Sequence, residues 1–194
     1  MKDYEYLDRD SVYTDKAGVL KNKAGISDAD KLVQFESIMV AKRLKELEAN
    51  PIKIKYAADL RNIHRYLFQD VYDWAGDVRR VEIGKDGRQF LETRAFAKAF
   101  SYIDSILKEY FGLNGKKEIS SGLAKILDDV NYGHFFREGN GRTQREFIRA
   151  LALQKGYALN LNPSDDADVY ERYMAGTVRG DKKMLADLIL ELLK

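Results

Sequence analysis

The sequence predicts a mostly helical fold that carries one short β-hairpin. Apolar residues recur at helical spacing along most of the chain, as at Ile63 and Leu67, and this period is typical of amphipathic helices. Both prolines follow an asparagine at the end of a helical pattern, where proline ends helices. Residues 77–92 instead alternate in polarity around the turn signal Asp86-Gly87, which predicts a hairpin.

The same pattern places the individual elements. Up to Gly25 the chain is expected to be an irregular but ordered extension, and the hairpin to be isolated. Ser27 is the expected cap of the first helix, and Gly76 the end of the second. A chain of 194 residues can bury a full core, so we expect a single domain over residues 1–194. The predicted helices cover about residues 27–48, 57–74, 93–111, 120–132, 141–155, 164–174 and 181–194.

Composition and charge exclude several classes of protein. Lysine and arginine number 33 against 31 acidic residues, a balance that argues against a dedicated nucleic-acid binder. The lack of cysteine excludes disulfides and thiolate metal sites, and two histidines are too few for a histidine-rich zinc site. Neither a signal peptide nor a stretch of membrane-spanning length is found. We therefore expect a cytoplasmic protein with no direct nucleic-acid partner and no membrane partner.

Residues 134–145, His-Phe-Phe-Arg-Glu-Gly-Asn-Gly-Arg-Thr-Gln-Arg, concentrate the chemistry of the chain. His134 is the side chain there whose usual pKa, about 6.5, lets it accept a proton near neutral pH. Glu138 offers the oxygen ligands that Mg²⁺ takes when phosphates also bind the ion. Arg142 and Arg145, three residues apart, are expected to share a helix face and bind phosphate oxygens.

A turn of small residues precedes that helix. Gly139, Asn140 and Gly141 can adopt the backbone in which several amide N–H groups converge on one anion. Asn140 can also donate from its side-chain amide or fix the turn. Because the turn opens a helix, the helix dipole adds to the attraction for phosphate. Base, carboxylate, turn and arginines together predict attack of a hydroxyl group on a nucleotide phosphate.

His64, by contrast, lies on an amphipathic helix without such partners and is interpreted as a packing or hydrogen-bonding residue.

This stretch closely resembles the signature of Fic-domain proteins, His-x-Phe-x-[Asp/Glu]-Gly-Asn-Gly-Arg-x-x-Arg, which Arg145 completes. The resemblance continues at residues 19–26, 63–64 and 73–76, and the hairpin falls where the family has a β-hairpin flap. It therefore covers about residues 12–160, and residues 161–194 are expected to form C-terminal helices. What it implies is an all-α Fic fold, a helical bundle with a short β-hairpin flap.

The resemblance also implies a protein adenylyltransferase that uses ATP and Mg²⁺. His134 would take the proton from a tyrosine, threonine or serine hydroxyl of a target protein, and Glu138 would hold Mg²⁺ against the phosphates. Arg142 would bind the outer phosphates and Arg145 the γ-phosphate, while Phe136 would anchor the loop. The implied catalytic residues are His134, Asn140, Arg142 and Arg145; the implied nucleotide-binding residues are Gly139, Asn140, Gly141, Arg142 and Arg145.

The flap would align the target segment by extended backbone pairing, as exposed strand edges do in other peptide binders. The implied docking residues are Lys85, Asp86, Gly87, Arg88, Gln89 and Phe90.

Two positions of the motif are informative. Phe135 stands where proline is frequent, which changes the rigidity of the loop but removes no reacting group. Gly141 favours nucleotidyl transfer, because the related death-on-curing kinase carries lysine there and transfers the terminal phosphate.

Self-inhibited members of the family carry a helix with [Ser/Thr]-x-x-x-Glu-[Gly/Asn], and these residues contain no such motif. The chain therefore resembles a toxin restrained by a separate small antitoxin, and the targets known for such toxins, DNA gyrase and topoisomerase IV, are the first to test. Two alternatives stay open. The same fold could use another nucleoside triphosphate or a phosphocholine donor, or it could be a catalytically silent module that binds peptides at the flap.

Overall fold

The computed structural model describes residues 4–6, 12–85, 87–161 and 166–194. Helices dominate these residues and a small sheet accompanies them, which confirms the predicted fold class. None of the helices in the described part of the chain is long and apolar enough to cross a membrane. The helices are α1 (Ala29–Ala49), α2 (Asp59–Phe68), α3 (Phe96–Gly112), α4 (Lys116–Gly133), α5 (Asn140–Gln154), α6 (Ala167–Arg179) and α7 (Lys182–Leu192), and the strands are β1 (Tyr4–Tyr6), β2 (Ile83–Lys85) and β3 (Arg88–Gln89).

Helices α4 and α5 form the centre of the molecule. Helix α4 packs against α3, α5 and α7, while α2 packs against both α1 and α5. Apolar side chains of α4 and α5 such as Leu123, Leu127, Phe147 and Leu151 are completely buried, and burial of this kind is the main favourable contribution to folding. The loop between the two helices, residues 134–139, is consequently held inside the fold, and its residues are mostly buried.

Helix α2 ends earlier than the periodicity predicted. It stops at Phe68, and the chain then turns, with the N–H groups of Val71 and Tyr72 both donating to the Phe68 carbonyl. Val71 and Tyr72 are still buried, so the apolar spacing continues through turns that are not helical. Gly76 is therefore not the end of the helix, contrary to the prediction, although it does adopt φ 86°, a conformation that glycine takes readily.

Three other helix boundaries differ from the prediction. Helix α1 is capped by Asp28 rather than Ser27, because the Asp28 carboxylate accepts from the Lys31 N–H. Helix α4 begins at Lys116, several residues earlier than expected, after Gly115 with φ 93°. The predicted start of α6 at 164 lies outside the described residues; the helix runs from Ala167 to Arg179, beyond the expected end at residue 174.

The hairpin is not isolated, contrary to the prediction. Strand β1 pairs antiparallel with β2, with Tyr4 opposite Lys85 and Tyr6 opposite Ile83, so the sheet has the order β1-β2-β3. The sequence did not reveal β1 because a strand of three residues carries too little alternation to be recognised. The start of the chain thus covers one edge of the hairpin.

A buried arginine fastens the hairpin region to the helical core. The Arg79 side chain is fully buried, and its Nε donates to the His134 carbonyl at 2.8 Å. Its Nη1 and Nη2 donate to the carbonyls of Val81 and Leu91, and Glu82 lies 3.3 Å from Nη1. Its backbone N–H donates to the Phe135 carbonyl at 2.7 Å. One guanidinium therefore satisfies buried carbonyls on both sides of the junction.

Replacing Arg79 by methionine is expected to lower the free energy of unfolding by about 3 kcal/mol or more, because two buried carbonyls and one partly buried carbonyl lose their donor. Urea denaturation followed by circular dichroism measures the change. Arg80→Met is the matched control, since the Arg80 side chain is exposed, and it should change stability by less than about 0.5 kcal/mol. Equal losses in the two variants would contradict the role given to Arg79.

Candidate active site

His134 ends helix α4 and begins the motif loop. Its backbone takes the left-handed conformation with φ 42°, which is uncommon for a residue other than glycine. Its N–H still donates to the Val130 carbonyl, and its own carbonyl accepts from Arg79. Both contacts fix the position from which the imidazole projects.

The His134 imidazole is covered by the flap. The residue is only 6% exposed, and the Phe90 ring stacks on it with the centroids 3.9 Å apart and the planes at 16°. Burial, aided by the positive charges of Arg79 and Lys85, lowers the pKa of His134 to about 3. The ring is therefore neutral at physiological pH, which is the protonation state of a base.

Phe135, directly after His134, packs against aromatic side chains of helix α3. Phe135 is buried against Phe96 and Phe100, with ring centroids 5.1 and 4.5 Å away. A Cβ at Gly133 would lie 2.4 Å from the Phe135 ring, so this ring requires glycine at position 133. The motif loop therefore has a large apolar anchor at the position where the family often has proline.

His64 holds the motif loop from α2. The His64 ring stacks on Phe136 at 3.9 Å. Its Nδ1 accepts from the Gly76 N–H at 2.8 Å, so Nε2 carries the proton and donates to the Glu138 carbonyl at 3.0 Å. Burial lowers its pKa to about 3. The packing and hydrogen-bonding role predicted for His64 agrees with these contacts.

The small-residue turn opens helix α5. Gly139 adopts φ 79°, and a Cβ there would lie 2.2 Å from the Phe68 ring, so glycine is required on both grounds. The Asn140 side chain accepts from the Phe136 N–H at 2.9 Å and donates to the Phe136 carbonyl at 2.7 Å. Of the two uses predicted for Asn140, the geometry therefore favours fixing the turn. Gly141 lies in the first turn of α5, where backbone N–H groups have no acceptor within the helix.

The two motif arginines contact different elements. Arg142 Nη2 lies 2.6 Å from Glu36 Oε1 and 3.6 Å from Glu138 Oε1, and its guanidinium lies over the Phe68 ring at 4.8 Å. Arg145 lies over the ring of Tyr173 on α6, at 5.5 Å. Their spacing predicted that they share a helix face, but their guanidinium groups flank the start of α5 from the α1–α2 side and from the α6 side.

Glu138 is the residue through which a metal ion would bind. Its carboxylate is one-third exposed, and its Oε1 accepts from the Gly139 N–H at 2.9 Å. Across the described residues, no three His, Asp or Glu side chains form a cluster that could hold a metal alone. A single accessible carboxylate beside a glycine turn at a helix N-terminus fits Mg²⁺, which binds proteins through one or two carboxylates and completes its coordination with water and substrate phosphates.

The flap residues lie partly where the prediction placed them. Lys85 ends β2, Gly87 takes φ 73° in the turn, and Arg88 and Gln89 form β3. Phe90 follows, with its N–H donating to the Ile83 carbonyl at 3.0 Å. Asp86 lies outside the described residues. The flap therefore reaches His134 through Phe90.

Several residues that act on the motif were not found from the sequence. Glu36 on α1 is paired with Arg142 and is itself bonded by the Tyr72 hydroxyl. Tyr173 lies under Arg145, and Arg79 donates to the His134 carbonyl. Glu36 could have been noticed in the sequence. It stands between Leu32 and Val40 in the buried series of α1, where an apolar residue is expected.

Acidification is expected to destabilise the metal-free protein through its two histidines. Both have a pKa of about 3 when folded and about 6.5 when unfolded. Between these values the unfolded chain binds more protons, so stability is lost as the pH falls below about 6.5. Each histidine adds a slope approaching about 1.4 kcal/mol per pH unit, measurable by urea denaturation in EDTA from about pH 7 to pH 5. His64→Gln should reduce that slope by about half, and an unchanged slope would contradict the assignment.

Comparison with known proteins gives a consistent result. The sequence profile of the Fic/DOC family matches residues 53–152. Protein adenylyltransferase VbhT of Bartonella schoenbuchensis is 37% identical over 160 residues, which are 80% of this chain but 34% of VbhT. The chain thus spans about a third of the length of that relative. The probable protein adenylyltransferase y4lH of Sinorhizobium fredii is 32% identical over 177 residues, covering 90% of this chain and 89% of y4lH.

Solved structures share the fold. The crystal structure of the BepC protein of Bartonella tribocorum with bound AMPPNP matches with a TM-score of 0.80 at 22% identity, over 95% of this chain and 97% of the BepC chain. The family profile includes the whole motif, and y4lH extends the likeness over nearly the entire chain. The chain therefore belongs to the Fic/DOC family.

Proposed function

We propose that the chain is a protein adenylyltransferase that transfers AMP from ATP to a hydroxyl side chain of a target protein. The observation that carries this proposal is an imidazole at the end of α4, one short loop away from a helix N-terminus flanked by two arginines. A relative named protein adenylyltransferase and one named probable protein adenylyltransferase are 37% and 32% identical to this chain, respectively. Such an arrangement can take a proton from a hydroxyl group while a triphosphate is held beside it.

The proton transfer is assigned to His134. Its imidazole would accept the proton as the target oxygen attacks the α-phosphorus, and the bond to the leaving pyrophosphate would break. The Arg79 hydrogen bond to the His134 carbonyl keeps the residue in place. Because the ring is already neutral, no prior deprotonation is needed for it to act.

Phosphate binding is assigned to the start of α5. The first N–H groups of the helix, at Asn140 and Gly141, together with the helix dipole, would bind phosphate oxygens. Arg142 and Arg145 would stabilise the negative charge of the outer phosphates from two sides. Glu138 would hold Mg²⁺, which when bound neutralises phosphate charge. Gly141 has no ammonium group to offer the terminal phosphate, which favours AMP transfer over phosphate transfer.

Target binding is assigned to the flap. The hairpin of β2 and β3 borders the base, and Phe90 lies directly on the His134 ring. A target segment that pairs with the hairpin backbone would bring its hydroxyl group to the place that Phe90 covers. Movement of Phe90 is thus part of the proposed cycle.

The chain would act as the toxin of a toxin–antitoxin pair. The proposal rests on the lack of the inhibitory [Ser/Thr]-x-x-x-Glu-[Gly/Asn] motif within these residues. A separate protein that carries this helix would then restrain the enzyme. DNA gyrase and topoisomerase IV are the first target proteins to examine.

Labelled ATP distinguishes AMP transfer from its alternatives. With Mg²⁺ and cell lysate, adding the chain should make ATP labelled at the α-phosphate mark a target protein, and it should add no label from the γ-phosphate beyond that which the lysate kinases transfer without the chain. Mass spectrometry of the labelled band then shows whether a gyrase or topoisomerase IV subunit is modified. Transfer of the γ-label would identify a kinase instead. Matched reactions with GTP, CTP, UTP and a phosphocholine carrier test the donor.

His134→Ala tests the base. The variant should lose α-label transfer by about 10²-fold to 10⁴-fold, the usual contribution of a general base. It should still bind ATP in calorimetry, because the imidazole is not among the phosphate-binding groups, and this binding is the control for an intact fold. Undiminished labelling would refute both the base assignment and the proposed reaction route.

A further inference from the structure

Arg142 of the motif is held by a carboxylate from a distant helix. Glu36 lies on α1 and is only 7% exposed. Its Oε1 lies 2.6 Å from Arg142 Nη2, while its Oε2 accepts the hydroxyl hydrogen bond of Tyr72. Both carboxylate oxygens are thus engaged, one by the motif arginine and one by a buried phenol.

Fold stability does not account for this carboxylate. Glu36 occupies the buried series of α1 between Leu32 and Val40, where an apolar side chain would pack without the desolvation penalty of a charge. Buried ion pairs contribute little net stability, and apolar replacements of similar volume are often as stable or more so. A charge kept at such a position is better explained by what it does to its partner.

The contacts orient the Arg142 guanidinium. Glu36 and Glu138 both approach the same atom, Nη2, and the guanidinium carbon lies over the Phe68 ring, 4.8 Å from its centroid. Contacts with Glu36 and Phe68, from two different helices, therefore restrict the movement of the group. A guanidinium held in this way presents its remaining N–H donors in one direction. Donors that are oriented in advance are prepared to bind phosphate oxygens.

We propose that Glu36 is a positioning residue that holds Arg142 in the orientation needed to bind the phosphates of ATP, and that Tyr72 in turn holds Glu36. This inference rests on the proposed function, since it assigns Glu36 a task at the same site. Tyr72 is well suited to the task because its ring is fixed by stacking on Trp74, with centroids 4.2 Å apart.

The same helix offers a matched control. Glu46, also on α1, accepts from the Tyr66 hydroxyl and from Arg43 Nη1, each at 2.9 Å. This is a second tyrosine–glutamate–arginine triad, but Arg43 lies outside the motif and pairs with Asp70. Glu46→Gln therefore removes an equivalent charge from the same helix without touching Arg142.

The test compares Glu36→Gln, Tyr72→Phe and Glu46→Gln in two assays, ATP binding by calorimetry and steady-state AMP transfer. Glu36→Gln should raise the Kd and the KM for ATP by about 10-fold to 100-fold, the usual effect of removing a group that orients a ligand-binding residue. Tyr72→Phe should give a smaller rise of the same kind, because Glu36 remains. Glu46→Gln should leave both constants at the wild-type values.

Coupling separates positioning from a general loss of structure. In an Arg142→Ala background, Glu36→Gln should cause no further rise in the Kd for ATP, because the residue that it orients is gone. A rise of similar size in both backgrounds would overturn the proposal. So would an unchanged Kd in Glu36→Gln, or a lowered one, which would show that Glu36 competes with the phosphates.

The two assays also separate this inference from the proposed function. If the wild-type chain binds ATP but transfers no AMP, the proposed function fails and the calorimetric comparison still decides the role of Glu36. If the wild-type chain transfers AMP and Glu36→Gln matches it in Kd and KM, the inference alone fails. A wild-type chain that binds no ATP would overturn both.

Discussion

The constraint on which this site depends is the need to satisfy the backbone of a buried loop. Residues 134–139 lie inside the fold, and buried N–H and C=O groups without partners are costly. Most of the partners come from side chains, while the Phe135 carbonyl accepts from the Arg79 backbone N–H. The His134 carbonyl accepts from Arg79, both backbone groups of Phe136 bond to Asn140, the Glu138 carbonyl accepts from His64, and the Gly139 N–H donates to the Glu138 carboxylate. The loop that carries the proposed base is therefore rigid because each of these side chains is itself fixed.

The two histidines show how one environment supports two roles. His64 and His134 are both buried, and the pKa of each is lowered to about 3. Both nitrogens of His64 are bonded to backbone groups, so its neutrality serves structure. His134 stacks on Phe90, which belongs to the hairpin, whereas His64 stacks on Phe136 and Phe68. Position relative to the flap, more than burial or pKa, distinguishes the proposed base from the structural histidine.

Local patterns carried the predictions that succeeded. The motif is contiguous in sequence, so its proposed base, carboxylate, turn and arginines could be recognised together. The helices were identified from the periodic spacing of apolar residues. Glu36, Tyr72 and Arg79 act on the motif from distant parts of the chain, and their contacts depend on how the helices pack. The end of α2 was misplaced because Val71 and Tyr72 are buried in turns at helical spacing. Strand β1 was missed because three residues hold almost no pattern, and only its pairing with β2 defines it.

The position of the Phe90 ring affects whether the proposed donor, ATP, would be lost to hydrolysis by water. A base that activated water as readily as a side-chain hydroxyl would turn ATP into AMP and pyrophosphate without marking any protein. While the Phe90 ring lies on His134, it keeps water away from the imidazole, just as it keeps a target hydroxyl away. If His134 is the base, futile hydrolysis is suppressed in the resting molecule by the hairpin, and the choice between water and protein as acceptor is made by whatever displaces that ring.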